Sequence, residues 1–246
     1  MRIADIFKQY VQHLFLGKRA EARQVVLNGH DRGVTAAKLL TSVIWPAMAQ
    51  VEQLFRDDRI SRVTEHMATR INRMVADQLQ ALLTREPKTG KRMVVMCGEG
   101  QREELGAQIV TDLFEAQGWS VWFVGSGIPD DELLELVGKL EPEILAIYGT
   151  QPAGVPSVRR LISLIREVGV CENMQVLASG GVFNRADGLA DEVRADLFAD
   201  DIAGMLKVVA DNPVRVPKPD VPEPGRRRKR KKAKSPAASR KAAAVA

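Results

Sequence analysis

Histidine and cysteine are scarce in this chain of 246 residues, which has three His, at positions 13, 30 and 66, and two Cys, at 97 and 171. Two thiols make no disulfide framework, and no group of Cys and His has the short spacing that a zinc site requires. Both cysteines have apolar, strand-like neighbours (Val94-Val-Met-Cys97 and Val168-Gly-Val-Cys171), so both are expected to be buried structural thiols. An apolar run long enough to span a bilayer is missing. So are the Gly-x-Ser-x-Gly of a nucleophile elbow and the Gly-Lys-Ser/Thr of a phosphate loop, since Thr89-Gly90-Lys91 lacks the earlier glycine. The first residues, Met1-Arg-Ile-Ala-Asp-Ile-Phe-Lys8, are amphipathic and include an acid, unlike a secretory signal; a cytoplasmic protein is the expectation.

What is present is ample core material, 45% hydrophobic residues, and an uneven charge. Residues 213–246 hold 12 of the 36 Lys and Arg and 2 of the 31 Asp and Glu, a net +10, which leaves −5 on the rest. The basicity belongs to a tail. That tail begins with Pro213-Val-Arg-Val-Pro-Lys-Pro and reaches seven consecutive cations, Arg226, Arg227, Arg228, Lys229, Arg230, Lys231 and Lys232. Prolines stiffen its first part and self-repulsion opposes packing of the second, so disorder is expected. A cation block of this kind binds polyanions by releasing their counterions, which makes nucleic acid the expected partner; anionic lipid, an acidic protein or a plain solvated tail are the other readings. The absence of aromatics in the run argues against base stacking.

Residues 3–86 carry helical periodicity. Ile3, Ile6, Phe7, Tyr10, Val11, Leu14 and Phe15 share one face, and Gly17 ends that helix. A second helix, 19–27, is expected to stop at Asn28-Gly29, and Thr35 to cap a third that carries Leu39 to Phe55 with a kink or break at Pro46. A fourth spans 61–83. Short connections imply an antiparallel bundle. After Pro87-Lys-Thr-Gly-Lys91 the period changes: strands are read at 94–96, 121–124, 144–148 and 176–178, and helices at 101–117, 130–140, 155–168, 186–194 and 201–211. Alternation of this kind gives right-handed crossovers and a parallel sheet covered on both faces. The expected domains are a helical cap, 1–87, an α/β domain, 88–212, and the tail, 213–246. The loop after the first strand is the expected ligand site, because a crevice opens where chains leave such a sheet.

These features carry a resemblance. The bundle, the strand 94–97, the loop Glu99-Gly100-Gln101-Arg102-Glu103-Glu104-Leu105-Gly106 and the late pair Gly180-Gly181 resemble the cobalamin-binding module, as in the cobalamin domain of methionine synthase. The resemblance implies a five-stranded, doubly wound, flavodoxin- or Rossmann-like sheet below the cap, with cobalamin as cofactor. The family's loop is Asp-x-His-x-x-Gly, whose His ligates cobalt; here Gln101 stands at the Asp position and Glu103 at the His position, so the axial ligand is absent. A carboxylate oxygen is a poor replacement for imidazole at such a metal. The Ser-x-Leu segment that lines the family's nucleotide-tail pocket corresponds to Tyr148-Gly149-Thr150, with Tyr148 bulky enough to fill part of it. In the cap, Phe55 separated by nine residues from Glu65-His66 resembles the Trp, nine residues, Glu-His signature of light-sensing, adenosylcobalamin-dependent regulators, which lies over the upper face of the corrin.

The cofactor-binding residues implied by the resemblance are therefore Phe55, Glu65, His66, Gly100, Gln101, Glu103, Gly106, Tyr148, Thr150, Gly180 and Gly181, with none catalytic and none a metal ligand. His13 and His30, near helix ends, are expected to be structural, Trp119 and Trp122 to pack against helices, and Asp57-Asp58, Asp130-Asp131 and Asp200-Asp201 to cap turns or helices. The first functional expectation is a non-enzymatic sensor, regulatory or interaction protein that binds a corrinoid without an axial His or has lost it. The alternative is a corrinoid methyl-carrier subunit of a methyltransferase system. No DNA-reading helix-turn-helix is seen ahead of the bundle.

Overall fold

Apolar residues four apart fix the first helix: Ile6, Tyr10 and Leu14 are fully buried along α1 (Ile3–Phe15). The computed structural model describes residues 2–98 and 104–217. In the cap, α2 (Arg19–Asp31) lies against α1 and does not stop at Gly29. A side chain at Gly29 would meet Ile6 Cδ1 at 2.8 Å, so this glycine sets the closeness of the two helices, and Gly33 (φ 92°) lies just past the helix end. Thr35 caps α3 (Ala36–Leu39) as expected, its side chain accepting from the Lys38 N–H. The chain then runs through a π-helical turn, Leu40–Ile44, into α4 (Trp45–Arg56). Pro46 sits in the first turn of α4, where its missing N–H costs least, and the wide turn before it takes up the disruption in place of a break. Ser61 caps α5 (Arg62–Gln80), and a buried hydrogen bond from Tyr10 Oη to Asn72 Oδ1 (2.8 Å) joins α1 to α5.

The α/β part follows: β1 (Arg92–Cys97), α6 (Leu105–Ala116), β2 (Ser120–Gly125), α7 (Asp130–Leu140), β3 (Ile144–Tyr148), α8 (Val155–Val168), β4 (Gln175–Ser179), the short α9 (Gly181–Arg185) and α10 (Leu189–Glu192), β5 (Leu197–Ala199) and α11 (Ile202–Asp211). All five strands are parallel, in the order β2-β1-β3-β4-β5. This is the expected five-stranded, doubly wound sheet; its fifth strand, β5, three residues long, is not among the four strands placed from the residues. Side chains alternate: Met93, Val95, Cys97, Ala146 and Tyr148 join a core with the cap, α6 and α11, while Val94, Met96, Leu145 and Ile147 join α7 and α8. Cap and sheet thus share one core, and residues 1–216 form one compact unit. Where one helix was expected over 186–194, only the short α10 forms, just after Gly188 (φ 78°), and α9 lies wholly before that stretch.

Cys97 is buried, but Cys171 is half-exposed in a turn with φ 53°, so only the first matches the expected buried strand thiol. Trp119 is buried edge-on to Phe114 (5.5 Å), with Lys91 Nζ over its ring. Asp112 on α6 is buried, one carboxylate oxygen has no partner, and desolvation, then Glu115 and Asp77, raise its pKa from 3.8 to about 7. A raised carboxyl pKa favours the protonated folded state, so its contribution to stability is complete below pH 3.8 and lost as pH rises through about 7. Urea titrations of Asp112→Asn are expected to show a variant more stable than the parent at pH 8, with the advantage fading towards pH 4. An advantage independent of pH would contradict the ionised Asp112 as its cause.

Candidate functional site

Glycines gather at the carboxyl edge of the sheet, among them Gly98 after β1, Gly149 after β3, and Gly180 and Gly181 after β4. The edge is stitched by backbone bonds, Gly98 N–H to the Tyr148 carbonyl (2.8 Å) and Gly149 N–H to Ser179 (2.9 Å). Gly180 has φ 104°, and a Cβ there would stand 2.3 Å from the Gly149 carbonyl oxygen, so the protein's own backbone uses the space its missing side chain leaves. At Gly181 a Cβ would meet Arg185 Nη1 and both Glu52 carboxylate oxygens at 2.6–2.8 Å. These are ends of flexible side chains.

The cap comes down on this edge along one face of α4. Trp45, Met48, Glu52 and Phe55 recur at helical spacing. Trp45 stands edge-on to Tyr148 (centroids 6.0 Å apart, 77° between planes), and Glu52 Oε1 accepts from Arg185 Nη1 at 2.7 Å. Arg185 Nη2 donates to the Thr150 carbonyl (2.7 Å), so one guanidinium ties α4, the β3 loop and the end of α9 together. Phe55, one turn beyond Glu52, is half-buried. Glu65 and His66 are in the first turn of α5: His66 Nε2 lies 3.4 Å from Glu65 Oε2, and Thr69 Oγ1 donates to the other Glu65 oxygen. His66 is 63% exposed, so its ring is not packed between bundle and sheet.

Tyr148 is almost wholly buried, and its ring lies on α6: a Cβ at Gly106 would be 2.2 Å from Tyr148 Cζ and 2.3 Å from Oη. Burial pushes the phenol's pKa well above its ordinary value, with Glu52 and Cys97 adding to the effect. Burial, then Glu104, raises the Cys97 thiol to about 12, so it is an inert packing group. Glu104, at the start of α6, accepts from the Ser126 N–H (2.8 Å) and Oγ (2.9 Å), which fixes this helix start to the end of β2. Gly100, Gln101 and Glu103, and the run Arg226–Lys232, lie outside the described residues. Sequence reasoning missed Trp45, Glu52, Glu104 and Arg185 as parts of this edge; the i, i+7, i+10 spacing of Trp45, Glu52 and Phe55 was the signal available. Among the described residues, no group of three or more His, Cys, Asp or Glu could hold a metal ion, and no helix is long and apolar enough to cross a membrane.

A helical cap over a glycine-lined carboxyl edge of a doubly wound sheet is the arrangement that the resemblance to the cobalamin-binding module implies. Residues 6–80 match the family model for the B12 binding domain. Dimethylamine corrinoid proteins 1 and 2 of Methanosarcina acetivorans are each 24% identical, over 155 and 182 residues, covering 62% and 69% of this chain and 72% and 83% of their own lengths. Among solved structures, the Methanosarcina barkeri monomethylamine corrinoid protein superposes with a TM-score of 0.77 at 18% identity, over 85% of this chain and 99% of its own. The B12 binding domain match and these similarities support a cobalamin-binding module, and a cobalamin or related corrinoid is the cofactor they support. These relatives are amine corrinoid proteins, not the light-sensing regulators resembled by the Phe55 and Glu65-His66 spacing.

Tested against a corrinoid, the residues divide. On the cap side, Phe55 and the Glu65-oriented His66 supply an aromatic face and an accessible imidazole. Along the edge, Glu52 and Arg185 cover Gly181 with side-chain ends that can withdraw. Between β3 and α6 the fit fails: the space is filled by the Tyr148 ring. No His follows His66 in the sequence, so the α/β domain offers cobalt no imidazole.

Proposed function

We propose that this protein is a corrinoid carrier of the methyltransferase type, the second of the two functional expectations. What carries the reading is the B12 binding domain match over the cap together with corrinoid-protein relatives that span both cap and sheet. The sensor or regulatory reading and a nucleic-acid partner for the tail have no such support. When bound, the corrinoid would supply the cobalt centre at which a methyl group is accepted and released. The chain's own residues bind and orient it: Glu65, held by Thr69, fixes the His66 ring, Phe55 adds apolar surface, and Glu52 with Arg185 holds the cap against the edge and limits water. A methyltransferase is the partner this role needs.

The test is to incubate the purified protein with hydroxocobalamin, remove the excess, and read the retained visible spectrum. One corrinoid per chain is expected, and His66→Ala is expected to weaken retention about tenfold, equivalent to about 1.4 kcal/mol. No retention at high micromolar cobalamin would overturn the proposal. A carrier must also yield its methyl group, so retained methylcobalamin that loses its methyl to a thiol no faster than free methylcobalamin would reduce the role to binding alone.

A further inference from the structure

The misfit between β3 and α6 has its own consequence for which corrinoid the chain accepts. In the order β2-β1-β3-β4-β5, the chain leaves β1 and β3 towards opposite faces, and a crevice opens between their carboxyl ends. Here that crevice is closed on the α6 side. Tyr148 occupies it with 6% of its surface exposed, Gly106 leaves α6 without the side chain that would collide with the ring, and Trp45 from the cap stands on the ring's edge. Leu105 and Cys97, each 1% exposed, complete the packing. An open cleft at this end of the sheet, about 360 Å³, is on the other face, between the starts of α7 and α8, where Met96, Pro129, Val158 and Leu161 line it and the Asp130–Arg160 ion pair (3.5 Å) lies at its rim. No residue of α6 borders it.

We infer that Tyr148 bars a nucleotide tail from the sheet, so that this chain takes a corrinoid by its ring alone, with nothing threaded between β3 and α6. The inference rests on the corrinoid reading and specifies its ligand class: a corrin that lacks a lower base, or a cobalamin that keeps its own base on cobalt. The two share the same exposed ring chemistry. Neither needs a histidine from the protein on the lower side, which agrees with the absence of His after position 66. A tail could enter only if the Tyr148 ring swung out, and Trp45 and the α4 stripe that carries it stand in the way.

The experiment is equilibrium dialysis of the full chain against dicyanocobinamide and against hydroxocobalamin, with visible spectra of the retained material. The expected result is affinities within about threefold of each other, retained cobalamin that keeps the spectrum of its base-on form, and no change in the ratio for Tyr148→Phe, which keeps the ring. Cobalamin bound more than about tenfold tighter than cobinamide, with a base-off spectrum, would overturn the inference and leave corrinoid binding standing. Retention of neither corrinoid would remove both. Tyr148→Ser, which opens the slot, is expected to raise the preference for cobalamin over cobinamide; an unchanged ratio in this variant, shown folded by its circular dichroism, would mean that the ring is not the barrier.

Discussion

Gly106→Ala is expected to destabilise the protein by about 2–3 kcal/mol, although the same change in a helix ordinarily stabilises by up to about 1 kcal/mol. The reason is spatial. The added methyl would stand 2.2 Å from Tyr148 Cζ, far inside van der Waals contact. The neighbour is a rigid, buried ring that cannot bend away as a long aliphatic chain would, and Trp45 blocks its retreat towards the cap. Either α6 shifts outward, loosening Ile109, Val110 and Leu113 from the sheet, or the ring is forced from its rotamer. A double-mutant cycle separates this clash from a general intolerance of α6 to change. Tyr148→Ser leaves a cavity and will itself be costly, but in that background Gly106→Ala should become neutral or stabilising, a coupling of about 2 kcal/mol between the two sites. Urea unfolding of the four proteins, with m-values compared, gives the cycle. Additive effects would show that Tyr148 does not press on Gly106, and the barred slot would go with them.

The fold was legible where one period dominated. The four-residue spacing along α1 and the apolar strands at 94–96 and 144–148 announced both layers, because both faces of the sheet are buried and the strands read as continuous apolar runs. Gly29 was misread because a helix stop and a close helix approach ask for the same missing side chain; only the position of Ile6 tells them apart. The resemblance implies five strands, but the fifth has no position in the residue pattern, because three residues carry too little of it and the pairing of β5 with β4 is tertiary information. At the site, the glycines and the Phe55, Glu65 and His66 spacing could be read from the sequence, and the bulk of Tyr148 was noticed there. That Gly180 is bare in order to admit the Gly149 backbone could not be, nor could the Glu52–Arg185 pair, whose members lie 133 residues apart. Such contacts leave no local signal.

Asp196→Ala is expected to cost about 3–5 kcal/mol while leaving the carboxyl edge of the sheet as it is. Asp196 precedes β5 and its side chain is 6% exposed. One carboxylate oxygen takes both the Arg166 guanidinium and the Val176 N–H (2.7 Å), and the other takes Arg215 Nε (3.0 Å). Arg215 also donates to the Glu172 carbonyl, and Gln175 to that of Val214, so the carboxylate anchors the chain after α11 to the amino end of the sheet. Burial lowers the Arg166 pKa and Arg215 lowers it further, with Asp196 supplying the main opposing attraction. Removing the carboxylate therefore leaves two guanidinium groups facing each other, each about four-fifths buried, and a strand N–H without its partner. Asp196→Asn keeps an acceptor for Val176 but loses the charge, and should fall between parent and Ala variant. Because these groups sit at the start of β4 and β5, opposite the glycine edge, corrinoid retention at low temperature should be unchanged in both variants. A loss below about 1 kcal/mol for Asp196→Ala in urea unfolding would mean that Arg166 and Arg215 find water when the acid is gone, and that the anchor contributes little to the fold.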